Sequence, residues 1–183
     1  MFYAGDGYKM CLMHRQLLAA LFSLTCVLTT SGQKIEARWY GLQALESSKE
    51  DVEKRLGPPK RVDDNGYYHY ESREAFAEVS YSTEPCQPDK HNRGIYKVPA
   101  WTILELGIQP RPSPPIGGVD FDRQYYIKDE SGDVTKFYSY VNDSLGIKLG
   151  FVQRPDLNDD FLGIITYFGT ADQRAKLKCE VPS

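Results

Sequence analysis

The first half of the chain opens with a hydrophobic spacing that predicts a short helix. Val52 and Leu56 lie four residues apart, so a helix would place both side chains on one buried face. Ser47 and the serine after it are N-cap residue types, and Ser47 stands three residues before Glu50, the spacing of a capping box. Gly57 is followed by two prolines, which cannot continue a helix, so the helix is expected to end there.

Alternating apolar and polar positions then predict strands. Two paired strands are expected over residues 67–71 and 75–81, separated by a few polar residues. A third is expected over residues 101–109, after a polar stretch at residues 83–98 that predicts a surface loop. The prolines within residues 110–115 then predict a stiff connector between two halves of the chain.

The second half shows a similar order of elements. Strands are expected over residues 136–141, 146–152 and 161–168, with polar turns between them. Residues 119–128 fit either a short helical turn or a strand, and both stay open. Residues 171–178 predict a terminal helical turn.

These patterns together predict an α+β fold built from tandem α-β-β-β units. The first half would span residues 33–110 and the second residues 116–183, each with a helical or irregular lead and a tyrosine-rich strand. Their strands, about five or six in number, would form one twisted antiparallel sheet with short helices on one face. At 183 residues the chain is long enough for such a domain to bury a core.

Residues 1–32 are interpreted as an upstream extension and a signal peptide. A histidine–arginine pair precedes an apolar run at residues 17–28, and small polar residues follow it, in the order of a secretory signal. The run is too short to span a bilayer comfortably. We expect cleavage near Gly32, leaving residues 33–183 as a single exported domain, periplasmic or extracellular, without a transmembrane span. A buried N-terminal helix and a lipid anchor at Cys26 are the alternatives.

Removal of the signal leaves two of the four cysteines. In an exported chain, Cys86 and Cys179 are expected to form a disulfide, which would tie the end of the first hairpin to the C-terminal segment. Metal ligation by two lone cysteines is the less favoured alternative.

The charge balance excludes some classes of partner. The chain has 22 basic and 25 acidic residues, a net charge of −3, and its basic residues are scattered rather than clustered. A nucleic-acid partner is therefore not expected, nor is an anionic membrane surface. The thirteen tyrosines favour strands over helices.

Few residues in the sequence suggest catalysis. His69 is expected as a solvent-facing strand residue and His91 as a loop residue, and no nucleophile elbow, HExxH motif or glycine-rich phosphate loop is present. Acidic clusters at residues 63–64, 129–133 and 159–160 fit turns, with a calcium site or carboxylate catalysis as alternatives. We therefore predict no catalytic, cofactor-binding or metal-binding residues.

Aromatic side chains are the better candidates for a binding site. Tyr68 and Tyr70 share one face of the first-half strand, and Tyr138 and Tyr140 occupy the matching positions in the second half. These four tyrosines pack across strands under the helix, or they line an open sheet face, where tyrosine and tryptophan are common interface anchors. Trp101, just after the polar loop, is a similar candidate.

The segment SSKEDVEKRLGPPKRVDDNGYYHY carries a resemblance to a known family. Its helix ending in LGPP and its YHY strand resemble the corresponding segment of SmpA/OmlA-type outer-membrane assembly lipoproteins. Two such units in tandem would resemble the β-lactamase-inhibitor-protein fold. The resemblance implies a non-enzymatic protein-binding module.

The sequence thus predicts an exported binding module that presents an aromatic-bearing sheet face to a protein partner, in the cell envelope or outside. No cofactor is expected. The alternative is a secreted hydrolase of unfamiliar type that uses carboxylates, since carboxylates alone can run hydrolysis when a fold brings them together.

Overall fold

The structure is a computed structural model that describes residues 33–89, 91, 93–129, 137–154 and 157–180. The signal peptide expected over residues 1–32 lies outside these ranges. Within them, no helix is long and apolar enough to cross a membrane.

Strands dominate the described residues, and the helices are short. The helices are α1 (Lys49–Leu56) and α2 (Ala171–Leu177), with 3-10 turns at Ile116–Gly118 and Arg123–Tyr125. The strands are β1 (Gln33–Lys34), β2 (Arg61–Val62), β3 (Tyr68–Glu71), β4 (Ala75–Tyr81), β5 (Gln87–Pro88), β6 (Ile95–Tyr96), β7 (Ile103–Pro110), β8 (Val119–Asp120), β9 (Ile127–Asp129), β10 (Phe137–Asn142), β11 (Ile147–Arg154) and β12 (Asp159–Phe168).

One antiparallel sheet of eight strands organises the fold. Its order is β2-β3-β4-β7-β12-β11-β10-β9, and the smaller pairs β1-β8 and β5-β6 lie outside it. The two halves of the chain meet at the centre, where β7 and β12 pair with Ile108 opposite Ile165. The predicted α+β fold with an antiparallel sheet is confirmed at this level, although strands far outweigh helices. The sheet is wider than expected because the edge strands β2 and β9 are too short to show an alternating pattern.

Helix α1 begins one residue later than the capping box predicted. The N-cap is Ser48, which accepts a hydrogen bond from the backbone of Asp51 and whose own backbone donates to the Asp51 carboxylate. Ser47 instead accepts from the backbone of Gln43, and so serves the preceding turn. The predicted pairing of Ser47 with Glu50 was wrong because adjacent serines offer the same spacing, and only tertiary contacts choose between them.

The segment expected as a surface loop, residues 83–98, contributes to a second small core. It contains the β5-β6 hairpin, in which Gln87 lies opposite Tyr96. Tyr96 and Val98 are buried together with Leu45 and Leu104. The sequence did not predict this small core because Tyr96 and Val98 are the only residues that this polar stretch contributes to it.

The C-terminal end is attached to this hairpin. Cys86 and Cys179 lie at disulfide distance, with their Cα atoms 5.7 Å apart. The backbone of Cys179 donates to Ile95, at 2.9 Å. Residues after α2 therefore extend the small β5-β6 sheet, in agreement with the pairing expected from the sequence.

Residues 119–128, which fitted either a turn or a strand, contain both. The 3-10 turn Arg123–Tyr125 lies between β8 and β9, and the Asp122 side chain caps it by accepting from Gln124.

The main hydrophobic core covers one side of the large sheet, which we call the first face. Val52 of α1 packs there with side chains from the central strands, including Leu106 of β7 and Ile165 of β12. The half-buried Phe121, from the segment after β8, packs against the same core. Because side chains alternate along a strand, the intervening residues point to the opposite side, the second face.

Candidate functional site

Strand register places one row of residues across the second face. The row contains one residue from each of six neighbouring strands, and each residue lies opposite the next. In order they are His69 (β3), Glu78 (β4), Gly107 (β7), Thr166 (β12), Lys148 (β11) and Val141 (β10). Their neighbours along each strand belong to the core of the first face, so the whole row shares the second face. Residues from both halves of the chain are thereby brought to one surface.

A cavity of about 540 Å³ lies over this row. Gly107 leaves its floor without a side chain, and Ile164 leans over the gap, since a Cβ atom on Gly107 would lie 3.2 Å from the Ile164 Cδ1 atom. Phe137, Val141 and Phe168 supply the rest of the apolar lining. The volume falls in the range of specific binding pockets. Charged side chains such as Glu78, Glu105 and Lys148 line the cavity beside the apolar ones.

A buried ion-pair cluster forms one wall of the cavity. The Arg93 guanidinium bridges two buried carboxylates: its Nε donates to Asp89 at 2.9 Å, and Nη2 donates to Glu105. His91 Nε2 lies 3.2 Å from the other Glu105 oxygen. Arg93 also lies over the Phe168 ring, 4.5 Å from its centroid. The cluster holds residues 89–93 against the second face.

Tyr67 lies close to this cluster. Its burial, together with the nearby Glu105 carboxylate, raises the pKa of Tyr67 to about 12. The phenol therefore stays protonated at neutral pH, and it lines the same cavity.

His69 is held between two carboxylates rather than facing solvent. Its Nε2 lies 2.9 Å from Asp63 and its Nδ1 lies 3.6 Å from Glu78, and only 15% of the side chain is exposed. The hydrogen bond from His69 is the main reason that the pKa of Asp63 is lowered. Since a carboxylate only accepts, Nε2 donates to Asp63, and the 3.6 Å from Nδ1 to Glu78 is too long for a hydrogen bond.

The candidate tyrosines lie on the first face and pack across strands there, which is the first of the two arrangements expected from the sequence. Tyr70 is only 1% exposed and hydrogen bonds to Tyr81 at 2.9 Å. Tyr68, Tyr138 and Tyr140 are half-buried and pack against the main core. The tyrosines are buried on this side because α1 and the segment after β8 cover it.

Trp101 is the exposed member of the predicted set. Its side chain is 45% exposed, and its backbone has a φ of 66°, which a bulky residue rarely adopts. Hydrogen bonds to Ser82 and from Lys49 fix this backbone, at 2.7 and 2.8 Å. The Lys49 ammonium lies 4.8 Å from the ring centroids of both Trp101 and Tyr68. Trp101 therefore belongs to a separate patch beside the start of α1.

The acidic clusters at residues 63–64 and 159–160 serve turns and packing, whereas most of the cluster at residues 129–133 lies outside the described ranges. Asp63 accepts from the backbones of Asn65 and Tyr67, and Asp160 accepts from the Tyr138 hydroxyl. No group of three or more His, Cys, Asp or Glu residues in the described ranges is arranged to hold a metal ion.

Sequence reasoning missed Glu105, Arg93 and Lys148. Glu105 and Lys148 each interrupt an apolar strand, in ILELGI and GIKLGF, and a charge in such a place must face an opening or find a partner. That signal was present in the sequence. The approach of Arg93 to Glu105 was not, because it depends on the path of the loop.

Comparison with models of known protein families, with curated proteins and with solved structures found no match. A function must therefore be argued from the second face itself.

Proposed function

We propose that this protein is an exported, non-enzymatic binding module that receives a protein partner on the second face of its sheet, in the cell envelope or outside. The observation that carries the proposal is the cavity of about 540 Å³ in the middle of that face. Its apolar walls and its central position across both halves suit a partner loop that inserts into it.

The polar groups of this face support binding rather than catalysis. The two histidines are engaged with carboxylates, His69 with Asp63 and Glu78, and His91 with Glu105. Their roles are to hold strands and loops in place. A rigid, internally paired surface loses little conformational entropy on association, which favours binding.

Photo-crosslinking tests the proposal with a matched pair of positions. Val152 is 40% exposed and lies opposite Phe137 on the second face, whereas Val62 is 51% exposed and lies opposite Tyr68 on the first face. A photo-reactive amino acid is placed at either position of the full chain in its own cells. Crosslinks to one protein from position 152 and none from position 62 are expected. Equal crosslinking, or crosslinks from position 62 alone, would contradict the proposal.

The hydrolase remains the second candidate, because the second face brings Glu78 and Glu105 together with two histidines. Paired carboxylates can act as acid and base when substrate fits between them. Glu105→Gln and Glu78→Gln variants would then abolish turnover in a screen of glycoside, ester and peptide substrates. Absence of turnover by the unchanged protein across the screen would count against this candidate.

We also propose that the two halves are tandem units, as in the β-lactamase-inhibitor-protein fold, and that the first unit is related to SmpA/OmlA-type lipoproteins. The support is the strand order, in which β2-β3-β4-β7 is followed by β12-β11-β10-β9 about the central pair. Further support comes from the short helix ending at LGPP before the YHY strand. The 3-10 turns at residues 116–125 would replace the helix of the second unit.

A further inference from the structure

The charged groups that line the cavity are almost all paired. Its three carboxylates each lie near a basic side chain: Glu78 near His69, Glu105 near Arg93 and His91, and Asp143 near Arg174. The basic side chains of the ion-pair cluster, Arg93 and His91, belong to these same pairs. Among the described residues of the lining, every carboxylate therefore has a basic neighbour.

Lys148 is the charged residue of the lining that has no such pairing among the described residues. It lies in the row between Val141 and Thr166, lines the cavity and is half-buried. Within the described ranges, no carboxylate, carbonyl or aromatic ring partners its ammonium group. A lysine ammonium without a protein partner can form a charge-assisted hydrogen bond with an arriving carboxylate.

The surroundings of Lys148 are apolar on one side, while Thr166 lies opposite it on β12. Val141 lies beside it on β10, and Phe137 and Ile164 line the cavity on either side. A ligand that pairs with the ammonium must therefore also present an apolar group to these walls.

We propose that the cavity receives an acidic segment of a protein partner, in which an aspartate or glutamate pairs with Lys148 and an adjacent apolar side chain packs against Phe137, Val141 and Ile164. This inference rests on the proposed function and specifies its ligand. The unpartnered ammonium of Lys148 is what favours an acidic segment over a basic or purely apolar one.

A peptide selection tests the inference without a known partner. The probe is a phage library of random twelve-residue peptides, selected on the immobilised full chain and on Lys148→Met. A Lys54→Met variant, which removes an exposed lysine from α1 and leaves the cavity intact, is the matched control. Peptides selected on the unchanged chain and on Lys54→Met are expected to carry an acidic residue beside an apolar one. Their affinity for Lys148→Met should fall by about tenfold or more, as expected for a hydrogen bond between charged groups.

The outcomes distinguish a failure of this inference from a failure of the proposed binding function. Selected peptides without acidic enrichment, or acidic peptides that bind Lys148→Met normally, would overturn the inference and leave the binding module standing. Failure to select any peptide, together with no crosslinks from position 152, would overturn both. Oligomers of the full chain that dissociate on Lys148→Met substitution would assign the face to a second copy instead. Thermal unfolding of both variants checks that the fold is kept.

Discussion

Gly146 shows how a single residue can determine a hairpin. It lies in the turn between β10 and β11 with a φ of 66°, and its carbonyl accepts a hydrogen bond from the backbone of Phe168 at 2.8 Å. A Cβ atom here would overlap the Phe168 carbonyl oxygen. Both the left-handed backbone and the close approach therefore require glycine.

We expect Gly146→Ala to lower the free energy of unfolding by about 3 kcal/mol or more, because backbone strain and overlap add. Urea unfolding of the full chain measures it. Gly117→Ala is the matched control, since a Cβ atom there would meet open space, and it should stay within about 0.5 kcal/mol of the unchanged protein. Equal losses for the two variants would show that the turn is not constrained in this way.

Asp63 couples the stability of the first hairpin to pH. The hydrogen bond from His69, followed by the backbone donor of Tyr67, lowers the pKa of Asp63 in the folded protein. A carboxyl whose pKa is lowered by folding stabilises the fold above the pKa of the unfolded chain, about 4. That contribution is lost as the pH falls through the folded value.

An Asp63→Asn variant should therefore be less stable than the unchanged protein at about pH 7, and the difference should shrink toward about pH 3. Asn keeps an oxygen that accepts from the backbone, so the substitution removes the charge and the hydrogen bond from His69 but keeps the turn bonds. Asp64→Asn, next in the turn and exposed, is the control. Urea titrations at several pH values measure the difference, and a gap that is constant with pH would refute the coupling.

At the scale of elements, the C-terminal helix depends on a distant hairpin. The backbone of Lys97 donates to Leu177 at the end of α2, and Cys179 donates to Ile95. Cys86 and Cys179, 93 residues apart in the sequence, lie at disulfide distance beside these bonds. A covalent link here would close a loop that spans half of the chain.

Cross-linking a loop of this length stabilises a protein by about 4 to 5 kcal/mol in the chain-entropy description, which is an upper figure. Cys86→Ser with Cys179→Ser should therefore lower the free energy of unfolding by up to about this amount. Mass spectrometry of the exported protein without reduction should find the two peptides linked. Free thiols at both positions in material from an oxidising compartment would contradict the prediction.

At the scale of the whole molecule, the sheet carries the main core on one face and the cavity on the other. The first face is covered by α1 and the segment after β8, and it takes most of the aromatic side chains. The second face carries the ion-pair cluster and the cavity. The proposal that the second face meets a partner requires the domain to reach the partner's compartment.

Export is therefore a prediction of its own. The apolar run at residues 17–28 behind a basic start should be removed, and N-terminal sequencing of the exported protein should begin between about residue 29 and residue 37. A mature protein that keeps residues 17–28 would rule out a cleaved signal.

Local patterns were enough for much of the fold. The sequence alone determined α1, the strands β3, β4, β7, β10, β11 and β12 to within a few residues, and the cysteines expected to pair. These features depend on contacts close in the sequence or on residue types with few alternatives. The hydrophobic alternation of a strand states which residues share a face, whatever the partner strand is.

Only the tertiary structure decided which face of the sheet is covered. Alternation assigns Tyr68 and Tyr70 to one face and His69 to the other, but it does not state where α1 packs. The covering helix buried the tyrosines and left His69, Glu78, Thr166 and Lys148 to form a row on the opposite face. The cavity arises from the pairing of β7 with β12, which joins residues about sixty positions apart, and no local pattern encodes such a pairing.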